Sequence, residues 1–108
     1  MILRAIALLA LLPAPASAAE VLLLEFLCRG DQRLPVAHVL DGAAPGHAVI
    51  WHDGAMRVLA EIPAASGIAY AEPGYGLIWR EKGVEGHLAR KLPGGAEEDL
   101  LFDCRIAG

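Results

Sequence analysis

The sequence has 108 residues, of which 56% are hydrophobic and 20% charged, and its formal net charge at pH 7 is −4. A chain of this length forms one small domain at most. Its acidic balance argues against nucleic acid and anionic membranes as partners and favours a cationic partner.

The first eighteen residues have the pattern of a secretory signal peptide. Arg4 supplies a positive charge, an apolar run follows over residues 6–12, and Ala16-Ser17-Ala18 has the form of a small-residue cleavage site. The apolar run is too short to span a membrane. Cleavage removes Arg4, so eight basic and thirteen acidic residues remain, a net charge of −5. We therefore expect an exported, soluble, acidic domain over residues 19–108.

The rest of the sequence consists of short extended segments separated by turn residues. In chain order, the predicted strands cover residues 21–28, 34–39, 47–51, 56–62, 68–70, 75–79, 85–91 and 100–105. Gly, Asp and Pro dominate the separating segments, as in the Asp53-Gly54 hairpin turn. We expect the acidic run 97–99 to be a solvated turn. Pro35 predicts a bulge or an unpaired edge in the second strand.

The two cysteines, Cys28 and Cys104, lie near the ends of the mature sequence. In an exported domain, two cysteines predict one disulfide. It would close a loop of roughly 75 residues, worth about 4–5 kcal/mol by chain-entropy reasoning. Cys28 lies about ten residues beyond the cleavage site, too late for lipid attachment, so we expect a free periplasmic protein.

Strand number and cysteine position together predict the fold class. A cysteine near each end indicates that the first and last strands lie side by side. Closing the sheet in this way removes its exposed edges. We therefore predict an all-β fold, a small antiparallel barrel of about eight strands closed by one disulfide.

Few residues are suited to catalysis. Ser66 is the single serine after the signal peptide, and its surroundings lack the G-x-S-x-G turn of serine hydrolases. The four histidines have no zinc-binding spacing, and the glycines form no phosphate-binding loop. We expect no enzymatic activity, no metal and no cofactor.

Several short motifs in a fixed order resemble one known family. They are Cys28-x-Gly30, Leu34-x-Val36, Ala48-Val49-Ile50, Leu59, Ala65-Ser66-Gly67-x-x-Tyr70, Ile78-Trp79, Lys82-Gly83-x-Glu85-Gly86-x-Leu88 and Cys104. In order and spacing, this set resembles the C-type lysozyme inhibitors, the MliC/PliC family of Gram-negative bacteria. The resemblance covers essentially the whole mature sequence.

This resemblance implies an eight-stranded antiparallel barrel that blocks lysozyme by placing a loop in the enzyme's substrate cleft. In the family, a Ser and a Lys approach the catalytic carboxylates, and the matching positions here are Ser66 and Lys82. A hydroxyl and an ammonium are suited to that task, because C-type lysozyme works with two carboxyl groups. The expected lysozyme-binding residues are Ser66, Gly67, Tyr70, Arg80, Lys82 and Gly83.

The sequence departs from the family pattern beside the expected cation. Arg80 and Glu81 separate Trp79 from Lys82, where the family usually has one residue. Either Lys82 or Arg80 therefore supplies the cation, and Glu81 would lie unfavourably close to an acidic cleft. The segment Glu72-Pro73-Gly74 is also slightly longer than in the family.

Taken without the family, the same residues have plainer interpretations. Ser66-Gly67 is typical of a turn, Lys82-Gly83 of a hairpin tip, and Trp79 of a barrel core. A glycan- or ligand-binding barrel with an aromatic mouth is one alternative function, and an envelope module that binds a partner protein through an apolar surface is another. Salt separates these alternatives, because charge-driven lysozyme binding weakens with ionic strength and apolar association does not.

Overall fold

The computed structural model describes residues 19–42 and 46–107, so the predicted signal peptide lies outside the described residues. Eight strands run through this part of the chain. They are β1 (Glu20–Cys28), β2 (Gln32–Leu40), β3 (His47–His52), β4 (Ala55–Ile62), β5 (Ile68–Ala71), β6 (Gly76–Lys82), β7 (Glu85–Lys91) and β8 (Glu97–Ile106). Within the described ranges there is no helix of the length and hydropathy needed to cross a membrane.

Each strand pairs antiparallel with the next, and β8 pairs with β1 to close the barrel. The closing seam is short, with Phe26 opposite Ile106 and Leu27 opposite Arg105 as its register pairs. A disulfide between Cys28 and Cys104 joins the same two strands. The predicted all-β barrel, its eight strands and its disulfide are confirmed.

The barrel interior is filled with side chains from alternate strand positions, as the period of a β-strand requires. The largest fully buried side chains are Phe26, Leu34, Val36, Ile50, Leu59, Leu77, Trp79 and Leu88. The Phe26 and Trp79 rings meet edge to face with their centroids 4.9 Å apart. Gly86 makes room for the indole, because an added Cβ there would lie 2.3 Å from Trp79 Cη2. Trp79 is therefore a core residue.

The acidic run 97–99 and Pro35 both lie within strands. The acidic run is part of β8, where Glu97 lies opposite Lys91 and Glu98 opposite Arg90, so its prediction as a turn was wrong. Cross-strand pairing of opposite charges favours an extended conformation here despite the low strand propensity of Glu. At Pro35 the β1–β2 register continues without a bulge, while the β2–β3 ladder begins one residue later at Val36. Pro35 therefore has its unpaired edge on the β3 side.

Candidate functional site

The two predicted contact residues, Ser66 and Lys82, lie at the same end of the barrel. Ser66 belongs to the β4–β5 connection and Lys82 is the last residue of β6. Both line an open cleft of about 500 Å³. The other residues that line this cleft are Arg80, Glu81, Glu85, Gly86, His87, Phe102, Asp103, Cys104 and Arg105.

Gly67 fixes the β4–β5 connection against β6. Its φ is +69°, a left-handed conformation that glycine adopts readily. An added Cβ would lie 2.2 Å from the carbonyl oxygen of Glu81 and 3.3 Å from Lys82 Cα. Pairing of β5 with β6 begins at the next residue, Ile68, opposite Glu81. Glycine at position 67 therefore lets the serine loop lie directly beside the end of β6.

Arg80 and Lys82 occupy the same outward side of β6 but differ in their partners. The Arg80 guanidinium donates two hydrogen bonds to Glu97, at 2.7 and 2.9 Å. This hydrogen bonding raises the pKa of Arg80 and lowers the pKa of Glu97. Two further cleft residues are also paired, His87 with Asp99 and Arg105 with Glu85. Among the described residues, Lys82 is the cation of the cleft that has no carboxylate partner.

Glu81, between these two cations, directs its carboxylate toward the barrel interior. Its side chain is 12% exposed. Trp79 Nε1 donates a hydrogen bond to Glu81 Oε2 over 2.9 Å, and the His38 ring hydrogen-bonds to the same oxygen. Strand alternation turns this carboxylate inward, although Glu81 also lines the cleft. That Glu81 lies unfavourably close to the acidic cleft of an enzyme stays a prediction.

His38 is held between two acceptors. Its Nε2 faces the Glu81 carboxylate, and its Nδ1 lies 3.2 Å from the carbonyl oxygen of Leu22. A neutral imidazole has one N–H to donate, whereas an imidazolium has two. The hydrogen bond that the His38 ring donates to the Glu81 carboxylate accordingly raises the pKa of His38 above its ordinary value, in opposition to burial. The His38–Glu81 pair ties β2 to the strand that carries Lys82.

The remaining predicted contact residues, Gly83 and Tyr70, lie in different parts of the barrel. Gly83 follows Lys82 in the β6–β7 turn, with a φ of +62°. Tyr70 is 2% exposed and packs edge to face with His38, their ring centroids 6.0 Å apart. Burial raises the pKa of the Tyr70 hydroxyl. Tyr75 is exposed, but it lies in the β5–β6 connection at the opposite end of the barrel. Gly83 thus joins the cleft end, while the Tyr70 side chain belongs to the core.

Phe102 lines the cleft and was missed by the sequence analysis. The register runs from Gly86 opposite Cys104 to Leu88 opposite Leu101, so β8 uses one residue more than β7 over this interval. Such a bulge places two successive side chains outside. Phe102 is therefore 40% exposed although it lies in an apolar segment. The Arg29 guanidinium covers its ring at 4.7 Å. Period-two patterning alone gives no signal for a bulge of this kind.

The segment after Tyr70, predicted to be longer than in the family, lies outside this end of the barrel. It forms the β5–β6 connection, at the other end from Ser66 and Lys82. Arg57 anchors the segment by donating two hydrogen bonds to Glu72, at 2.9 and 2.6 Å. The β5–β6 register is continuous from Ile68 opposite Glu81 to Ala71 opposite Ile78. The segment therefore lies away from the two predicted contact residues, and its greater length relative to the family stays a prediction.

Comparison with known proteins connects this barrel to lysozyme inhibition. A family model described as "Membrane-bound lysozyme-inhibitor of c-type lysozyme", MliC, matches residues 26–95. The chain belongs to this MliC family of lysozyme inhibitors. The matched span includes both cleft residues predicted from the motifs, and the resemblance seen in the sequence is confirmed.

A solved structure shows the same fold. It is the crystal structure of PliC-St, a periplasmic lysozyme inhibitor of C-type lysozyme from Salmonella typhimurium. The two chains share 23% sequence identity with a TM-score of 0.70, over 82% of this chain and 100% of the other. No protein with curated annotation matches the sequence.

Proposed function

We propose that this protein is a periplasmic inhibitor of C-type lysozyme that inserts Ser66 and Lys82 into the active-site cleft of the enzyme. The observation that carries the proposal is the ammonium of Lys82, which lies next to the serine loop and has no carboxylate partner in the part of the chain that the structure describes. The chain belongs to the lysozyme-inhibitor family, and both Ser66 and Lys82 line the cleft. A hydroxyl and an ammonium side by side suit the two carboxyl groups of the enzyme.

The neighbouring arginine is a weaker candidate for the inserted cation. To pair with a lysozyme carboxylate, Arg80 would first have to give up both hydrogen bonds to Glu97. Among the described residues, no carboxylate pairs with Lys82, so its ammonium can pair with the enzyme without first losing a hydrogen bond. A charge-assisted hydrogen bond contributes about 1.5–3 kcal/mol, which corresponds to roughly 10- to 100-fold in affinity.

Phe102 adds an apolar surface to the same cleft. An aromatic side chain beside a desolvated ion pair excludes water and strengthens the pairing. Arg29 stacks on its ring, so the ring is held in place before the enzyme binds. Ser66, Lys82 and Phe102 together give the inhibitor a hydroxyl donor, a cation and an apolar contact.

The proposed location is the periplasm, in a form without a lipid anchor. The signal-peptide pattern of residues 1–18 supports export. Both cysteines of the sequence form the disulfide, so neither has a thiol available for lipid attachment.

The test is a cell-wall lysis assay with C-type lysozyme and the disulfide-bonded protein starting at Ala19. We expect inhibition that saturates at one inhibitor per enzyme. Lys82→Ala should weaken inhibition by roughly 10- to 100-fold, and Ser66→Ala by about 3- to 10-fold.

Two control variants assign the effect to position 82. Lys91→Ala removes the same charge from the far end of β7 and should leave inhibition within about twofold of the unsubstituted protein, because the removed charge is solvent-exposed. Arg80→Ala should reduce inhibition by less than about threefold. Full lysozyme activity at every inhibitor ratio would contradict the proposed function. Equal losses in Lys82→Ala and Lys91→Ala would contradict only the role of Lys82.

A further inference from the structure

The outer surface of β1–β4 is largely apolar, with Glu25, Arg33 and His47 as its exposed polar residues. We call its apolar part the apolar face, and the residues of this face are Val21, Leu23, Pro35, Ala37, Val39, Val49, Trp51, Met56 and Val58. One register row crosses all four strands without a polar residue, from Leu23 through Ala37 and Val49 to Val58. An antiparallel sheet with a solvated side ordinarily places polar residues there.

The apolar face is well exposed in the monomer. Five of its side chains are more than half accessible: Val21 at 65%, Leu23 at 68%, Trp51 at 52%, Met56 at 67% and Val58 at 57%. Four strands over about six residues each span roughly 20 × 20 Å, a projected area of about 400 Å². Apolar patches of this size on monomers often mark interaction sites. A standard interface buries about 800 Å² per partner, so the face supplies the apolar centre of one.

The shape of the face suits a copy of itself. A shallow groove of about 150 Å³ crosses it, with Ala37 and Val49 between the larger side chains of Leu23, Trp51 and Met56. In a two-fold dimer each subunit presents the same groove and the same projecting side chains to its partner. Two sheets packed face to face interdigitate their side chains in this way.

Charge also favours a second copy over a charged partner. The chain is acidic, but none of the nine residues of the apolar face is charged. In the closed strand order, β2 and β3 lie opposite β6 and β7, while β8 is the neighbour of β1. Two copies joined through the apolar face therefore place uncharged side chains against each other, so the contact itself adds no repulsion between like charges.

We propose that the apolar face is a self-association surface that pairs two copies of this protein back to back. The dimer does not depend on the function proposed above. If that function holds, the consequence is a bivalent inhibitor, because the two clefts point away from the shared interface and both stay open.

The proposal is tested by the mass of the disulfide-bonded protein from Ala19, measured by analytical ultracentrifugation over a range of concentrations without lysozyme. We expect twice the chain mass at micromolar concentration, falling to the monomer on dilution. Met56→Lys and Val58→Lys should each shift the dissociation midpoint at least 30-fold toward higher concentration. Val84→Lys, an equally exposed valine in the β6–β7 turn, should leave the midpoint unchanged.

Tryptophan fluorescence provides an independent readout. Trp79 is fully buried and Trp51 half-exposed, so dilution should shift the emission to longer wavelength through Trp51 alone. Trp51→Phe should abolish the shift. A monomer mass at all concentrations would overturn the proposal, as would a dimer that Met56→Lys and Val58→Lys leave intact. Binding of the monomer to neutral lipid vesicles through this face, without self-association, would also overturn it.

Discussion

The outer surfaces of β1–β4 and of β6–β8 differ although the two halves share one core. Both halves place the same kind of side chain inside, as in Val36 and Ile50 on one side and Trp79 and Leu88 on the other. Outside, β1–β4 carry the apolar face, whereas β6–β8 carry charged residues that pair across strands. The inward positions therefore specify the barrel, and the outward positions determine what each half of it can bind.

The ion pairs of the charged half contribute little to stability. The pairs Arg80–Glu97, His87–Asp99 and Arg105–Glu85 are all partly exposed. Exposed pairs of this kind are worth about 0–1 kcal/mol each. These pairs neutralise the other cations of the cleft, so Lys82 is left as its one cation without a carboxylate partner among residues 19–42 and 46–107. The apolar half has such a pair in Arg33–Glu25, and its apolar face carries no charge.

The largest expected effect comes from removing the disulfide, which joins β1 of the apolar half to β8 of the charged half. Cys28 lies on β1 and Cys104 on β8, where the described strands share two register pairs. The double variant Cys28→Ser/Cys104→Ser should lose about 4–5 kcal/mol of stability, because the loop that the disulfide closes is free in its unfolded state. Urea unfolding of oxidised and variant protein measures the difference. A loss below about 1 kcal/mol would show that strand pairing alone closes the barrel.

A smaller effect is expected where Gly67 lies close to the backbone of Glu81 on β6. Gly67→Ala combines an unfavourable φ with a Cβ placed 2.2 Å from the Glu81 carbonyl oxygen. We expect a loss of about 2–4 kcal/mol in stability, together with weaker lysozyme inhibition, because the serine loop must move away from Lys82. The measurements are urea unfolding and the lysis assay.

The matched control for that variant is Gly54→Ala, in the β3–β4 turn of the apolar half. Its φ of +75° is similar, but an added Cβ there would meet no described atom within 4 Å. The backbone penalty alone, about 1–2 kcal/mol, should remain. Equal losses at both glycines would mean that the contact with Glu81 has no part in holding the loop.

Most of the fold follows from the sequence, since alternating apolar residues and Gly-rich turns are local signals. Residues 85–91 were predicted with their observed bounds. The main errors fall in β6, which extends three residues beyond the predicted end to Lys82, and in β8, where cross-strand charge pairing extends the strand to Glu97 and a bulge exposes Phe102. These features have no local signal, because each depends on the strand opposite.

Only some members of the candidate site were predictable from the sequence. Ser66 and Lys82 line the cleft, but Tyr70 is buried in the core and Phe102 was not predicted. Motif order placed Ser66 and Lys82 together, yet the choice between Lys82 and Arg80 depends on Glu97, a residue from another strand. The direction of Glu81 likewise depends on His38, 43 residues away in sequence. The dense apolar run of residues 21–28 predicts a strand, but the continuation of its outer side across β2–β4 depends on the register of four strands.

The next prediction concerns pH and the pair that links the two halves through the interior. His38 lies on β2 and Glu81 on β6. Because its folded-state pKa is raised above the ordinary value of 6.5, His38 contributes stability that is full below that pH. This contribution is lost as the pH rises through the folded-state pKa. Urea unfolding between pH 5.5 and 9 should show the decline, and Glu81→Gln should reduce it.

The control for the pH effect is His47→Gln on the outside of β3, which should keep the decline because that ring is exposed. His38→Gln should remove it. A decline that persists in His38→Gln at full size would assign the pH dependence to another group and contradict the link through Glu81.

The smallest effect is expected from freeing the paired arginine of the charged half. Glu97→Gln removes the charge that holds Arg80, so a second cation becomes available beside Lys82. Since the pair is partly exposed, inhibition should change by less than about threefold in the otherwise unsubstituted protein. In a Lys82→Ala background the same change should restore inhibition by about threefold or more, because Arg80 can then supply the missing cation.

Glu98→Gln removes an equal charge from β8 without freeing Arg80 and should restore nothing. Rescue by both substitutions would mean that net charge, rather than a free cation, determines inhibition. Rescue by Glu97→Gln alone would show that the ion pairs of this half determine which cation reaches the enzyme.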